Sequence, residues 1–129
     1  MPLSSVHHIA IICSDYNRSK TFYTEVLGLQ VIREVYRETR GSYKLDLSLD
    51  GHYVIELFSF PETPARVSGP EACGLRHLAF ATPDVAHMKS DLEAKGIEVE
   101  NIRTDEFTRK KFTFFTDPDG LPLEIYESI

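Results

Sequence analysis

Residues 112–127 read FTFFTDPDGLPLEIYE, and this stretch decides how the rest of the chain is to be parsed. Two runs rich in aromatic and aliphatic residues flank Asp117-Pro118-Asp119-Gly120. Proline presets φ and glycine permits a positive one, so the stretch is expected to form a β-hairpin. Side chains alternate across a strand. If Leu123 and Ile125 enter the core, Glu124 shares the opposite face with Pro122 and Tyr126. A carboxylate in so apolar a segment needs water, a counter-charge or a cation.

Working outward, the same pattern occurs earlier. Residues 6–13, VHHIAIIC, read as a buried strand. Ser14-Asp15 offers an N-cap for a helix that ends at Gly28. Strands are expected over Leu29 to Arg37, Tyr43 to Leu49 and, after the tight turn at Asp50-Gly51, Tyr53 to Phe60. Residues 61–74 hold three prolines and two glycines without periodicity and read as a linker. The order then recurs: a strand from Leu75 to Phe80, a helix begun at Thr82 or Asp84 and ended at Gly96, a strand from Ile97 to Arg103, and the hairpin. The expected organisation is a single α+β domain over residues 1–129, with one βαβββ module at 5–60 and a second at 75–127.

The duplication can be counted. His8 precedes Gly28 by 20 residues and His77 precedes Gly96 by 19; His8 precedes Glu56 by 48 and His77 precedes Glu124 by 47. Taken singly, each of these is as well explained as a satisfied core histidine or a wetted strand glutamate. Matched spacing in both halves favours a shared task. Two imidazoles and two carboxylates suit a divalent ion such as Ni, Zn, Co or Mn, with positions left for water or substrate. His7 aligns with Arg76 and is expected at the rim, while His52 and His87 are expected to be exposed.

Together, residues 8–11 (HIAI), 22–29 (FYTEVLGL), 54–57 (VIEL), 77–80 (HLAF) and 117–124 (DPDGLPLE) resemble the vicinal oxygen chelate superfamily, most closely its glyoxalase I-like bacterial metalloproteins. The resemblance covers nearly the whole chain. It implies paired modules whose sheets curl around a metal on His8, Glu56, His77 and Glu124. It also implies lyase or isomerase chemistry through a metal-bound enediolate, with Glu124 as the base and Glu56 holding the metal and assisting the return of the proton. Extradiol dioxygenases and fosfomycin-resistance enzymes use three ligands, so the second acid argues against them. Where glyoxalase I enzymes place an arginine and an asparagine for glutathione, this chain has Ile12 and Phe60. An α-ketoaldehyde–thiol adduct or similar carbonyl compound is the expected substrate class, with glutathione itself in doubt. The alternatives are epimerase-type proton transfer on another α-carbonyl or thioester, and non-catalytic binding of a small molecule. Phe58, Phe60, Phe112, Phe114 and Tyr126 are expected to line an apolar substrate pocket. Arg33, Arg37 and Arg40 in the first hairpin could meet an anionic substrate at the rim, with a solvated face the expected outcome.

Composition bounds the partners. A net charge of −6 and a pI near 5.3, without a basic stripe, argue against nucleic acid or an anionic membrane. No signal peptide or apolar span is evident, so a cytoplasmic protein is expected, and the resemblance implies a homodimer. Cys13 and Cys73 are expected to be reduced thiols.

Overall fold

A computed structural model describes residues 2–128. The chain divides into two compact units, 1–65 and 66–129, and the division falls inside the proline-rich segment.

The first unit runs β1 (Ile9–Cys13), α1 (Tyr16–Thr21), a π-helical turn (Phe22–Val26), β2 (Gln30–Arg37), a 3-10 turn (Glu38–Arg40), β3 (Ser42–Leu49) and β4 (His52–Ser59). Its sheet has the order β1-β4-β3-β2, with β1 parallel to β4 and the other pairs antiparallel. The odd-numbered residues of the central strands, Leu45, Leu47, Ile55 and Leu57, are fully buried with Tyr23. Burying each such side chain contributes about 1.5–3 kcal/mol, and truncation to alanine costs about 2–5. That fixes the register. The even-numbered Lys44, Asp46, Glu56 and Phe58 must then share the other face, where Asp46 pairs with Glu56 and Lys44 with Phe58. The β3–β4 turn takes positive φ at both Asp50 and Gly51, which matches the right-handed twist of a two-residue hairpin.

The second unit repeats the plan with β5 (Leu78–Thr82), α2 (Val85–Ala94), β6 (Arg103–Thr104), β7 (Lys111–Thr116) and β8 (Pro122–Glu127), in the order β5-β8-β7-β6. Asp84 caps α2 by accepting from the His87 amide. Its core holds Leu92, Phe115, Leu123 and Ile125. In the 117–121 loop the buried Asp117 carboxylate accepts from the amides of Asp119 and Leu121, so the turn is held by its own side chain.

Three expectations need correction. The first helix does not continue regularly to Leu27. The Thr24 hydroxyl donates to the Lys20 carbonyl at 2.7 Å and competes with the helical amide for it, and the next turn closes five residues apart, from the Leu27 amide to the Phe22 carbonyl. The strand expected over Ile97 to Arg103 shrinks to Arg103–Thr104. Its earlier part touches β7 through single bonds, the Glu100 amide to Phe114 and the Thr113 hydroxyl to the Glu100 carbonyl. Finally, β1 and β5 begin at Ile9 and Leu78, so His8 and His77 each sit immediately before the first strand residue.

Candidate metal centre

The parallel pairing of β1 with β4 sets Ala10 beside Glu56, and that of β5 with β8 sets Ala79 beside Glu124. In each unit the histidine lies two residues before that alanine, on the same face. The consequence is a His–Glu pair per unit. His8 Nε2 is 3.7 Å from Glu56 Oε1, and His77 Nε2 is 3.3 Å from Glu124 Oε1. The glutamate side chains are 15% and 13% exposed, so both carboxylates are mostly withdrawn from water yet reachable.

Two donors about 2.1 Å from one ion and about 90–110° apart lie about 3.0–3.4 Å from each other. His77 and Glu124 meet that spacing, and His8 and Glu56 need to close by a few tenths of an ångström. Imidazole and carboxylate donors suit borderline divalent ions, so each pair fits half of the expected set. Among the described residues no group of three or more His, Cys, Asp or Glu side chains gathers as a metal-holding cluster. Each unit offers two donors.

The surroundings of the pairs differ. His7 Nδ1 lies 2.8 Å from His8 Nδ1. With the proton on His8 Nδ1, His7 accepts it and Nε2 keeps its lone pair for a ligand role. At His77 the neighbour is Arg76, whose Nη1 donates to Nδ1 at 3.0 Å; with that bond made the ring proton sits on Nε2, so a ligand role for Nε2 requires the arginine to turn away. Glu56 is tied down: Lys44 Nζ is 3.1 Å and the Tyr53 hydroxyl 3.2 Å from its Oε2. Both groups also reach Oδ1 of Asp46 at 2.7 Å, and Arg33 Nε is 3.2 Å from Oδ2. Asp46 is fully buried. Burial alone would raise its pKa, but the bonds from Lys44, Tyr53 and Arg33 outweigh that and hold the carboxyl below its ordinary value. The bond to Asp46, more than burial opposes it, raises Lys44, which stays charged. Burial and Asp46 push the Tyr53 phenol up.

Among the described residues no such network surrounds Glu124. Its cross-strand neighbour is Phe114, whose ring stands edge-on to His77 at 5.1 Å, and Phe112 faces Tyr126. The reason is legible in the repeat: Glu124 follows Glu56 by 68 residues, and the same offset maps Phe112 onto Lys44 and Phe114 onto Asp46. The three residues that sequence reasoning missed are thus Lys44, Asp46 and Tyr53. The clean alternation of residues 43–49 pointed to a hairpin strand and drew attention away from what its even positions carried.

The aromatic residues expected to line a pocket lie on these two faces. Phe58 and Phe60 stack at 5.9 Å in the first unit. In the second, Phe112 stacks on Tyr126, whose hydroxyl is drawn to Asp105 at 3.0 Å and to Thr108. A cavity of about 320 Å³ in the second unit is lined by Phe114 and Pro122 and by the charged Arg66, Arg76, Arg103 and Glu100. The arginines of the first unit are not simply solvated either: Arg33 bonds buried Asp46, and Arg37 and Arg40 lie over phenylalanine rings. Cys13 is buried, with its thiol donating to the Phe58 carbonyl at 3.3 Å, and Cys73 is exposed; among the described residues neither forms a disulfide. No helix among the described residues is long and apolar enough to cross a membrane.

The chain is 65% identical to YwkD of Bacillus subtilis (strain 168), covering 98% of this chain and 99% of that one. It is 59% identical to YaeR of Escherichia coli (strain K12), covering 97% of each. A crystal structure of a glyoxalase family protein from Enterococcus faecalis matches with a TM-score of 0.89 and 49% identity, over 95% of this chain and 97% of that one. More distant relatives include Glyoxylase I 4 of Arabidopsis thaliana, 29% identical over 95% of this chain and 70% of its own length. A 2-epi-5-epi-valiolone epimerase of Actinomyces sp is 26% identical over 94% and 78%. A catechol-2,3-dioxygenase of B. subtilis is 29% identical over 84% and 36%. The model of the Glyoxalase/Bleomycin resistance protein/Dioxygenase superfamily matches residues 5–125, and the chain belongs to that superfamily.

Proposed function

We propose that the chain is a divalent-metal-dependent, glyoxalase I-like lyase or isomerase that moves a proton between adjacent carbons of a small α-carbonyl compound. An adduct of an α-ketoaldehyde with a thiol is the leading substrate class. The observation that carries this reading is the recurrence of a His–Glu pair at one position in both modules, 3.7 Å apart in the first and 3.3 Å in the second. A centre takes one pair of each kind. A homodimer has two of each, enough for two four-donor centres.

The donors would be His8, Glu56, His77 and Glu124, and the ion they hold would supply charge stabilisation for the substrate oxygens. The remaining roles divide by surroundings. Glu56, with Lys44 and Tyr53 on one oxygen, is held in place as a ligand. Glu124, which has Phe114 as its cross-strand neighbour and no lysine or arginine partner among the described residues, can take a proton from one substrate carbon and return it to the next.

Epimerase-type transfer is the second reading, and a specific observation favours it. Ile12 is 56% exposed and Phe60 is half-buried on the same face as Glu56, so the positions expected to grip glutathione offer no hydrogen bond to it. Elemental analysis coupled to a panel of α-ketoaldehyde adducts with several thiols tests the proposal. About one divalent ion per chain with turnover of at least one adduct is expected. A protein that refuses Ni²⁺ and Zn²⁺ in calorimetry would remove it.

A further inference from the structure

We infer that Arg37 is the anchor for an oxyanion, a carboxylate or a phosphate, on a small molecule whose apolar part lies over Phe58 and Phe60. This extends the proposed function by assigning the substrate a negatively charged end. Arg37 closes β2 on the face that carries Glu56. Its Nη2 donates to the buried Ser42 hydroxyl at 2.8 Å, which fixes the plane of the guanidinium. The guanidinium carbon lies 4.9 Å from the Phe58 ring centre and 5.9 Å from that of Phe60. Arg40, in the turn after β2, has its guanidinium carbon 5.7 Å from the Phe60 ring centre.

The two rings hold the cation through their faces but accept no in-plane N–H. Arg37 Nε is buried and has no hydrogen-bond partner among the described residues, and no carboxylate pairs with Arg37 or Arg40 there. A buried charged donor left unsatisfied is rare and costly, and a guanidinium fork matches an oxyanion in two-point geometry. The adjacent cation does not compete, because Lys44 is committed to Asp46 and Glu56. Phe58 follows Glu56 by two residues on one strand face, a step of about 6.6 Å. An oxyanion at Arg37 therefore lies about one small-molecule length from the Glu56 carboxylate.

The test is a ¹⁵Nε–¹H arginine spectrum of the chelator-treated protein titrated with phenylacetate, phenyl phosphate and neutral benzyl alcohol, with affinities from calorimetry. The Arg37 signal, identified by its loss in Arg37→Lys, is expected to shift with at least one of the anions and not with the alcohol; which anion moves it assigns carboxylate or phosphate. Arg37→Lys is expected to lose at least about tenfold in affinity for that anion, about 1.4 kcal/mol, while the weak binding of benzyl alcohol is unchanged. A signal unmoved by either anion, a shift with the alcohol as well, or an unchanged anion affinity in Arg37→Lys overturns the inference. Because the titration needs no metal, a shift in a protein that binds no divalent ion would leave this anchor standing and remove the metal centre. A metal-loaded enzyme whose Arg37 signal stays still would do the reverse.

Discussion

Lys44 Nζ stands 3.1 Å from Oε2 of Glu56, so one of the two candidate acids is bound to a fixed cation while the other is not. The same ammonium is 2.7 Å from fully buried Asp46. Removing one partner of a buried charge group strands the other, whereas removing both costs little. Lys44→Met is expected to destabilise the protein by about 1–3 kcal/mol, below the full cost of a stranded charge because Arg33 and Tyr53 remain on Asp46. Lys44→Met with Asp46→Leu should recover most of that loss. Urea unfolding of the four proteins of the cycle checks it, and additive losses would mean that the two residues do not act as a unit.

The asymmetry also separates the two glutamates in catalysis. Glu124→Gln is expected to lower turnover by about 10²–10⁴-fold in protein that still carries metal, because a positioned base is lost. Glu56→Gln should act mainly through metal occupancy and recover activity when metal is supplied in excess. Equal losses at equal metal content would reject the division of roles.

Ile12 and Phe60 bear on substrate choice. Turnover of the glutathione–methylglyoxal adduct is expected to fall below a kcat/KM of about 10⁴ M⁻¹ s⁻¹, the low end of ordinary enzyme efficiency. Installing donors with Ile12→Arg and Phe60→Asn should raise it. Efficient turnover by the unaltered protein would show that glutathione is held by other groups.

Much of this was legible in the chain because it rests on counting. The duplicated spacing of His8, Glu56, His77 and Glu124 can be counted directly, and parity decides the face within each strand, as where Leu45, Leu47, Ile55 and Leu57 fill one side of the first sheet and leave Glu56 on the other. Boundaries were less legible where side chains compete with backbone. Thr24 rewrites the end of the first helix with one hydroxyl bond, and residues 97–102 alternate like a strand but, among the described residues, bond β7 only at Glu100. The Lys44–Asp46–Tyr53 network was hidden for another reason. Its members are unremarkable singly, and only comparison of both modules at the 68-residue offset shows that charges stand where the other half has phenylalanines.

Glu34 carries a prediction about pH. Its Oε2 accepts from Lys20 Nζ at 2.8 Å and from the Tyr16 hydroxyl at 2.5 Å, tying α1 to the edge strand β2. Lys20 first, and Tyr16 after it, hold the Glu34 carboxyl below its ordinary 4.5. A carboxyl depressed on folding means that the unfolded chain binds the proton more readily. Its stabilisation is therefore complete above the ordinary glutamate pKa and is lost as pH falls through the lowered folded value. The side chain is 36% exposed, which limits the contribution to about 0.5–1 kcal/mol after solvent screening. Unfolding of the wild type and Glu34→Gln should differ by that amount at pH 6–7 and converge as pH falls below about 4. High salt should shrink the part due to Lys20, and Tyr16→Phe should leave that part intact. A difference that stays constant from pH 7 to pH 3 would mean that Glu34 acts through packing alone.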